Sequence, residues 1–134
     1  MLRKELFKRA FWILVAVGAL NFVANEFYLH WTLWWFDMIL HFLGGMFAAL
    51  FVLWLGSAKL GLKSWSRMKI LSVSLTSALL VGILWEAYEL GSGLTFLSDG
   101  VRYFADTGSD LLMDCVGGIF GFFYAIHLVK RYEQ

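Results

Sequence analysis

Six side chains in this sequence combine into a set that can do chemistry. Asp37 and His41 lie four residues apart, Asp110 and Asp114 repeat that spacing, and Glu86 and Glu89 lie three apart. On a helix, residues at i, i+3 and i+4 share one face, so each pair presents two polar ends to the same side. Brought together, five carboxylates and one imidazole form an oxygen-rich ligand set. Such a set suits Mg, Mn or Ca, and its imidazole also admits Zn or Fe. A divalent cation held there activates water or polarises a phosphate. His41, Glu86 and Asp110 are then the candidate catalytic groups, and Asp37, His41, Glu86, Glu89, Asp110 and Asp114 the candidate ligands. Fully ionised carboxylates would repel one another strongly, so the cluster needs shared protons, Arg102 or a metal to neutralise it. Arg102 and Asp106 are candidate substrate contacts: a guanidinium at this place holds an anionic lipid phosphate, or else pairs with Asp99 or Asp106. The sequence offers no Ser-His-acid set with a nucleophile motif and no glycine-rich nucleotide loop.

The elements that carry these groups have to be membrane helices. Of the 134 residues, 60% are hydrophobic and 16% charged, against about 45–50% and about 25% in soluble domains. Proline is absent. Residues 10–25, 38–58, 70–85 and 115–129 carry no formal charge, in runs of 16, 21, 16 and 15. A spanning helix needs about 20 mostly apolar residues at 1.5 Å each, so most of these runs must take in a few polar residues at one end. This predicts one all-α transmembrane domain over residues 1–134. It is a four-helix bundle with spans near 10–29, 37–58, 68–90 and 108–129. The first run reads as a span rather than a cleaved signal peptide, because the repeat described below needs it. The one cysteine, Cys115, can form no internal disulfide.

Charge sets the orientation. Arg3, Lys4, Lys8 and Arg9, then Lys59, Lys63, Arg67 and Lys69, then Lys130 and Arg131 fall on one side, and only Arg102 on the other. The positive-inside rule makes both termini cytoplasmic, in a multi-pass protein of the inner cell membrane. Acids are placed oppositely, with only Glu5 and Glu133 on the inner side. Asp37, Glu86, Glu89, Asp110 and Asp114 belong to helices at or below the membrane boundary, where an ionisable group is costly and faces a cavity, a partner or a metal. Tyr28, Trp31, Trp34 and Trp35 read as interfacial aromatics. Asn21 and Asn25 read as inter-helix hydrogen-bond partners, Glu26 as solvated and His127 as interfacial or packed. The segment from Gly91 to Gly108 reads as a short interfacial helix lying over the polar cluster. A net charge of +1 without a basic stripe excludes nucleic acid as a partner.

An internal repeat organises the acidic residues. Asp37-Met-Ile-Leu-His41-Phe-Leu-Gly44-Gly45-Met-Phe47 aligns without gaps on Asp110-Leu-Leu-Met-Asp114-Cys-Val-Gly117-Gly118-Ile-Phe120. A weaker echo joins Val17-Gly18-Ala-Leu20 to Val81-Gly82-Ile-Leu84, which makes the chain two tandem helix hairpins of the same orientation. Asp37, His41, Gly44 and Ala48 form one stripe, and Asp110, Asp114, Gly117 and Gly121 the equivalent stripe. Small residues let helix backbones approach closely in lipid. The second and fourth spans are therefore predicted to meet through Gly44, Gly45, Gly117, Gly118 and Gly121, with the polar ends converging above that contact.

The segments Phe36-Asp37-x-x-x-His41-x-x-Gly44-Gly45, Trp85-Glu86-x-x-Glu89 and Asp106-x-x-x-Asp110-x-x-x-Asp114-x-x-Gly117 resemble the YjdF-type family of small bacterial membrane proteins. They are similar, more loosely, to the VanZ-like family, whose patterns Asp-Lys-x-x-His, Glu-x-x-Gln and Asp-x-x-x-Asn differ here at Met38, Glu89 and Asp114. The resemblance covers roughly residues 36–122 and implies a polytopic fold with its acid and histidine motifs in this order. It names no reaction. Three function classes follow from the residues. The first is a metal-dependent, hydrolase-like protein acting on a lipid or cell-envelope substrate from an outward-facing pocket. The second is a non-catalytic binding or assembly subunit. The third is a small proton- or ion-coupled transporter working as a homo-oligomer, whose path to the cytoplasm would have to be lined by Ser72, Ser74, Thr76 and Ser77.

Overall fold

The computed structural model describes residues 1–132, the side chains of Lys59, Leu60 and Lys63 excepted. Lys59 and Lys63, two of the inner-side bases, and Glu133, an inner-side acid, therefore lie outside the described side chains. The elements are α1 (Leu2–Glu26), a short α2 (Leu29–Thr32), α3 (Phe36–Leu60), α4 (Arg67–Ser92) and α5 (Val101–Tyr132), with single 3-10 turns at Leu62–Ser64 and Leu97–Asp99. Among the described residues there is no strand. α1, α3, α4 and α5 each contain a stretch long and apolar enough to cross a membrane.

Two helices reach further than hydropathy implies. α1 begins at Leu2 rather than near residue 10, because Arg, Lys and Glu are good helix formers and Glu5 pairs with Arg9 at 3.7 Å. Its first turns also bury Leu2, Leu6 and Ala10. It ends at Glu26, and Tyr28 follows in the left-handed region with φ 55°. The segment Gly91–Gly108 is not a separate interfacial helix. α4 runs on to Ser92, and Gly93 ends it at φ 70° as the N–H of Leu94 reaches back to the Glu89 carbonyl at 3.0 Å. Glycine takes that left-handed cap without a Cβ penalty. α5 then starts at Val101, so residues 101–107 extend the fourth span by two turns.

α3 is the central helix. It packs on α1, α4 and α5, and α4 packs on α5, while α1 leans on α3 and hardly meets α4. Leu2 and Tyr132 lie at one end of the bundle, with Lys130 and Arg131 in the last turn of α5. That basic end is filled by an apolar core including Leu6, Leu50, Leu53, Ile70, Ala125 and Leu128.

Glycines set how closely the helices approach at the other, acidic end. A Cβ on Gly45 would land on the backbone carbonyl of Asp114, and one on Gly117 would land on that of Phe42. A Cβ on Gly121 would lie 2.7 Å from the Ala49 Cβ. These three hold α3 and α5 backbone to backbone, as small residues do in lipid. The other two glycines act elsewhere. Gly118 faces α4, where an added Cβ would meet the Ala78 Cβ at 2.9 Å, and Gly44 meets only the Asp114 carboxylate, at 3.9 Å. Adjacent residues on a helix diverge by about 100°, so Gly118 turns to α4 where Gly117 meets α3.

Candidate functional site

The close approach of α3 and α5 puts the first turns of their polar stripes side by side. His41 is 4% exposed, Asp110 2% and Asp114 1%. His41 Nδ1 donates to Asp114 Oδ2 at 2.9 Å. This contact favours a proton on Nδ1, so that in the neutral ring Nε2 is free to act as a ligand. Nε2 faces Asp37 Oδ2 at 3.7 Å and Glu86 Oε1 at 3.6 Å. One ligand atom each from Asp37, His41 and Asp110 lie within 4.8 Å of one another.

Asp114 holds its place because glycines make room for it. Its carboxylate sits between Gly44 of α3 and Gly82 of α4, and a Cβ on Gly82 would overlap Oδ2. Glu86 is 7% exposed and accepts from the Thr107 hydroxyl at 2.6 Å through Oε2. That leaves Glu86 Oε1 and His41 Nε2 buried without a hydrogen-bond partner and 3.6 Å apart, while Asp37 Oδ1 has only His30, at 3.5 Å. Buried polar atoms without partners are costly, and these belong to one cluster. Together with Asp110 they make a polar cluster backed by the Asp114–His41 pair, and an outer carboxylate on an imidazole is an arrangement found in metal sites.

The remaining candidates fall around this centre. Glu89 is buried one turn along α4, and its Oε1 accepts from the Trp85 indole at 3.0 Å, which turns it toward its own helix. Asp106 and Arg102 continue the Asp110–Asp114 stripe outward by one and two turns and are exposed. Among the described residues Arg102 makes no ion pair with Asp99 or Asp106. Asn25 and Glu26 are exposed and do not join the site. His30 of α2 does reach it: Nδ1 lies 3.5 Å from Asp37 Oδ1 and Nε2 lies 3.3 Å from Asn21 Oδ1. The contact with Asp37 raises the His30 pKa above its ordinary value, against a smaller opposing effect of burial. His30, Thr107 and Gly82 were not singled out by the sequence, because a loop histidine, a hydroxyl and one more glycine are common in any membrane chain.

A family model described as a predicted membrane protein matches residues 5–131, almost the entire chain. The chain belongs to the DUF2238 family. No curated protein and no solved structure matches it. For this DUF2238 member the family supplies membrane residence over the full bundle, and the site's chemistry rests on the residues described above.

Proposed function

We propose that the acidic end of this bundle is a divalent-cation site that acts on a phosphate-bearing lipid or cell-envelope substrate, in a hydrolase-like role. Asp37, His41 Nε2, Asp110 and Glu86 would hold the ion, Asp114 would orient His41, and Glu89 would adjust the local charge. The observation that carries this reading is the grouping of ligand atoms from Asp37, His41 and Asp110 within 4.8 Å of one another, with the other nitrogen of His41 2.9 Å from Asp114 Oδ2. A cation there neutralises the carboxylates, polarises a phosphate ester and lowers the pKa of water. Mn and Zn fit three or four oxygens and one nitrogen best, while Mg and Ca favour all-oxygen sets. Arg102 and Asp106, on the same face of α5 further out, are placed to meet the polar part of a substrate.

The charge pattern supports a cytoplasmic basic end, which turns the site toward the outer face of the inner membrane. Packing beneath the site favours a pocket over a conduction path. The basic half is closed by Leu50, Leu53, Phe122 and Leu128, and the Ser74 and Ser77 hydroxyls are bonded to carbonyls of their own helix. The YjdF-type resemblance supports the same set of residues through its three motifs. The test is metal content after purification without chelator. About one equivalent of Mn or Zn in the wild type, lost in Asp110→Asn and His41→Ala, supports the site. Failure of the folded wild type to bind Mg, Mn, Ca, Zn or Fe above background rejects it.

A further inference from the structure

Because α1 leans on α3 and hardly meets α4, the bundle has a seam between those two helices. The seam is a cleft of about 170 Å³ that runs beside the carboxylate cluster. Leu14 and Val17 of α1 form one wall, Val81 of α4 the other, and Phe47 and Gly44 of α3 the back. At one end stand Asn21 and Trp85, and the wall there includes His41 and Asp114. The surface is apolar apart from those groups. From Leu14 to Asn21 is seven residues, about 10 Å along the helix axis. The cleft therefore runs parallel to the spanning helices, from mid-bundle up to the level of the cluster.

In a chain that spans a membrane, this seam opens sideways into hydrocarbon, where lipid chains lie along the same direction. An engineered apolar cavity of about 150 Å³ takes up a benzene-sized guest, so this cleft accepts a stretch of one chain and not two. Its polar end is shared with His41 and Asp114, the pair that orients the proposed cation ligands. We infer that the α1–α4 cleft seats one acyl chain of a membrane glycerophospholipid and thereby brings its phosphate to the Asp37–His41–Asp110 cluster. The lipid's role as substrate rests on the cation-site reading, whereas its seating in the cleft is a separate matter of fit. A carboxylate-lined site for the head and an apolar cleft for the tail then belong to one amphiphile that enters laterally rather than from water.

The experiment uses full-length protein in mild detergent with a phosphatidylglycerol carrying a diazirine in one acyl chain. Crosslinks should concentrate at Leu14, Val17 and Val81, well above Phe22 and Leu84, which are exposed on other lipid-facing surfaces. Val17→Trp and Val81→Trp fill the cleft from opposite walls without touching the α3–α5 contact, and each should lower cleft labelling at least tenfold. Labelling spread evenly over exposed positions, or unchanged in whichever of the two variants folds, overturns the inference. Displacement of the probe by an isoprenyl phosphate more readily than by unlabelled phosphatidylglycerol overturns the choice of an acyl chain. Metal content separates the two readings. Loss of labelling with metal retained in Val17→Trp is the expected pattern. Even labelling in a wild type that carries its metal removes the lipid seat alone, and cleft labelling in a metal-free wild type removes the cation site alone.

Discussion

Replacing Gly82 with alanine should weaken cation binding without dismantling the bundle. The added methyl would overlap Asp114 Oδ2, lie 2.8 Å from Asp114 Cγ and 3.1 Å from Leu111 Cδ2. Comfortable contact between carbon atoms is about 3.5–4.0 Å, so the carboxylate carbon must retreat by about 0.7–1.2 Å. The His41–Asp114 bond now spans 2.9 Å; a displacement of that size, directed away from α4, changes its length and angle enough to lose good hydrogen-bond geometry. Loss of an outer-shell orienting partner typically lowers metal affinity by about 10–100-fold, equivalent to about 1.4–2.8 kcal/mol. Overpacking itself costs about 1–3 kcal/mol of stability. Most of that should be relieved by rotation of Asp114, because the obstructing atoms are side-chain and not backbone. Calorimetric titration with Mn or Zn in nanodiscs, beside thermal unfolding of the metal-free protein, reads the two effects separately. An affinity within twofold of wild type in a folded Gly82→Ala protein would refute the claim that Asp114 orients His41 through the space this glycine leaves.

Gly117→Leu and Gly121→Leu should prevent assembly of the detergent-stable bundle, since the added atoms meet α3 backbone or Ala49; size-exclusion and unfolding profiles like wild type would contradict the α3–α5 contact. Thr107→Val removes the donor to Glu86 Oε2 and should cost about 1–3 kcal/mol in unfolding assays. Cysteine labelling should find positions 31–36 outward and position 134 cytoplasmic, and an outward C-terminus would reverse the orientation. In chelator-treated protein His30 should titrate above 6.5 by NMR, because its bond to Asp37 favours the charged ring. A raised folded-state value means the stabilisation is fully present below pH 6.5 and is lost as pH rises through that value. His30→Gln should remove this dependence on the basic side of 6.5.

Much of this arrangement can be read from where charge interrupts apolar runs. Asp37, His41, Glu86, Asp110 and Asp114 stand out because an ionisable group on a spanning helix has few places to go, and the structure gathers these five. Glu89 has the same signature yet turns to Trp85, a choice made by one rotamer and invisible to spacing. The start of α5 was hidden because the glycines and charges from Gly91 to Gly108 made that segment read as a separate interfacial helix. Gly108 sits in open space, so its small size is no obstacle to a helix there. The divergence of Gly117 and Gly118 follows from helical geometry alone, whereas the role of Gly82 depends on a third helix whose rotation no single-helix stripe specifies.

The bond between His41 and Asp114 joins residues 73 positions apart, and that separation has a consequence for biogenesis. α3 enters the membrane before α5 has been synthesised, so Asp37 and His41 enter ahead of the acids that will accompany them. Charged residues are among the least welcome in an inserting helix, and Glu86 arrives with α4 under the same handicap, its partner Thr107 still untranslated. The cluster is thus assembled only after α5 has left the ribosome. A chain truncated before α5 lacks both Asp114, the partner of His41, and Thr107, the donor to Glu86.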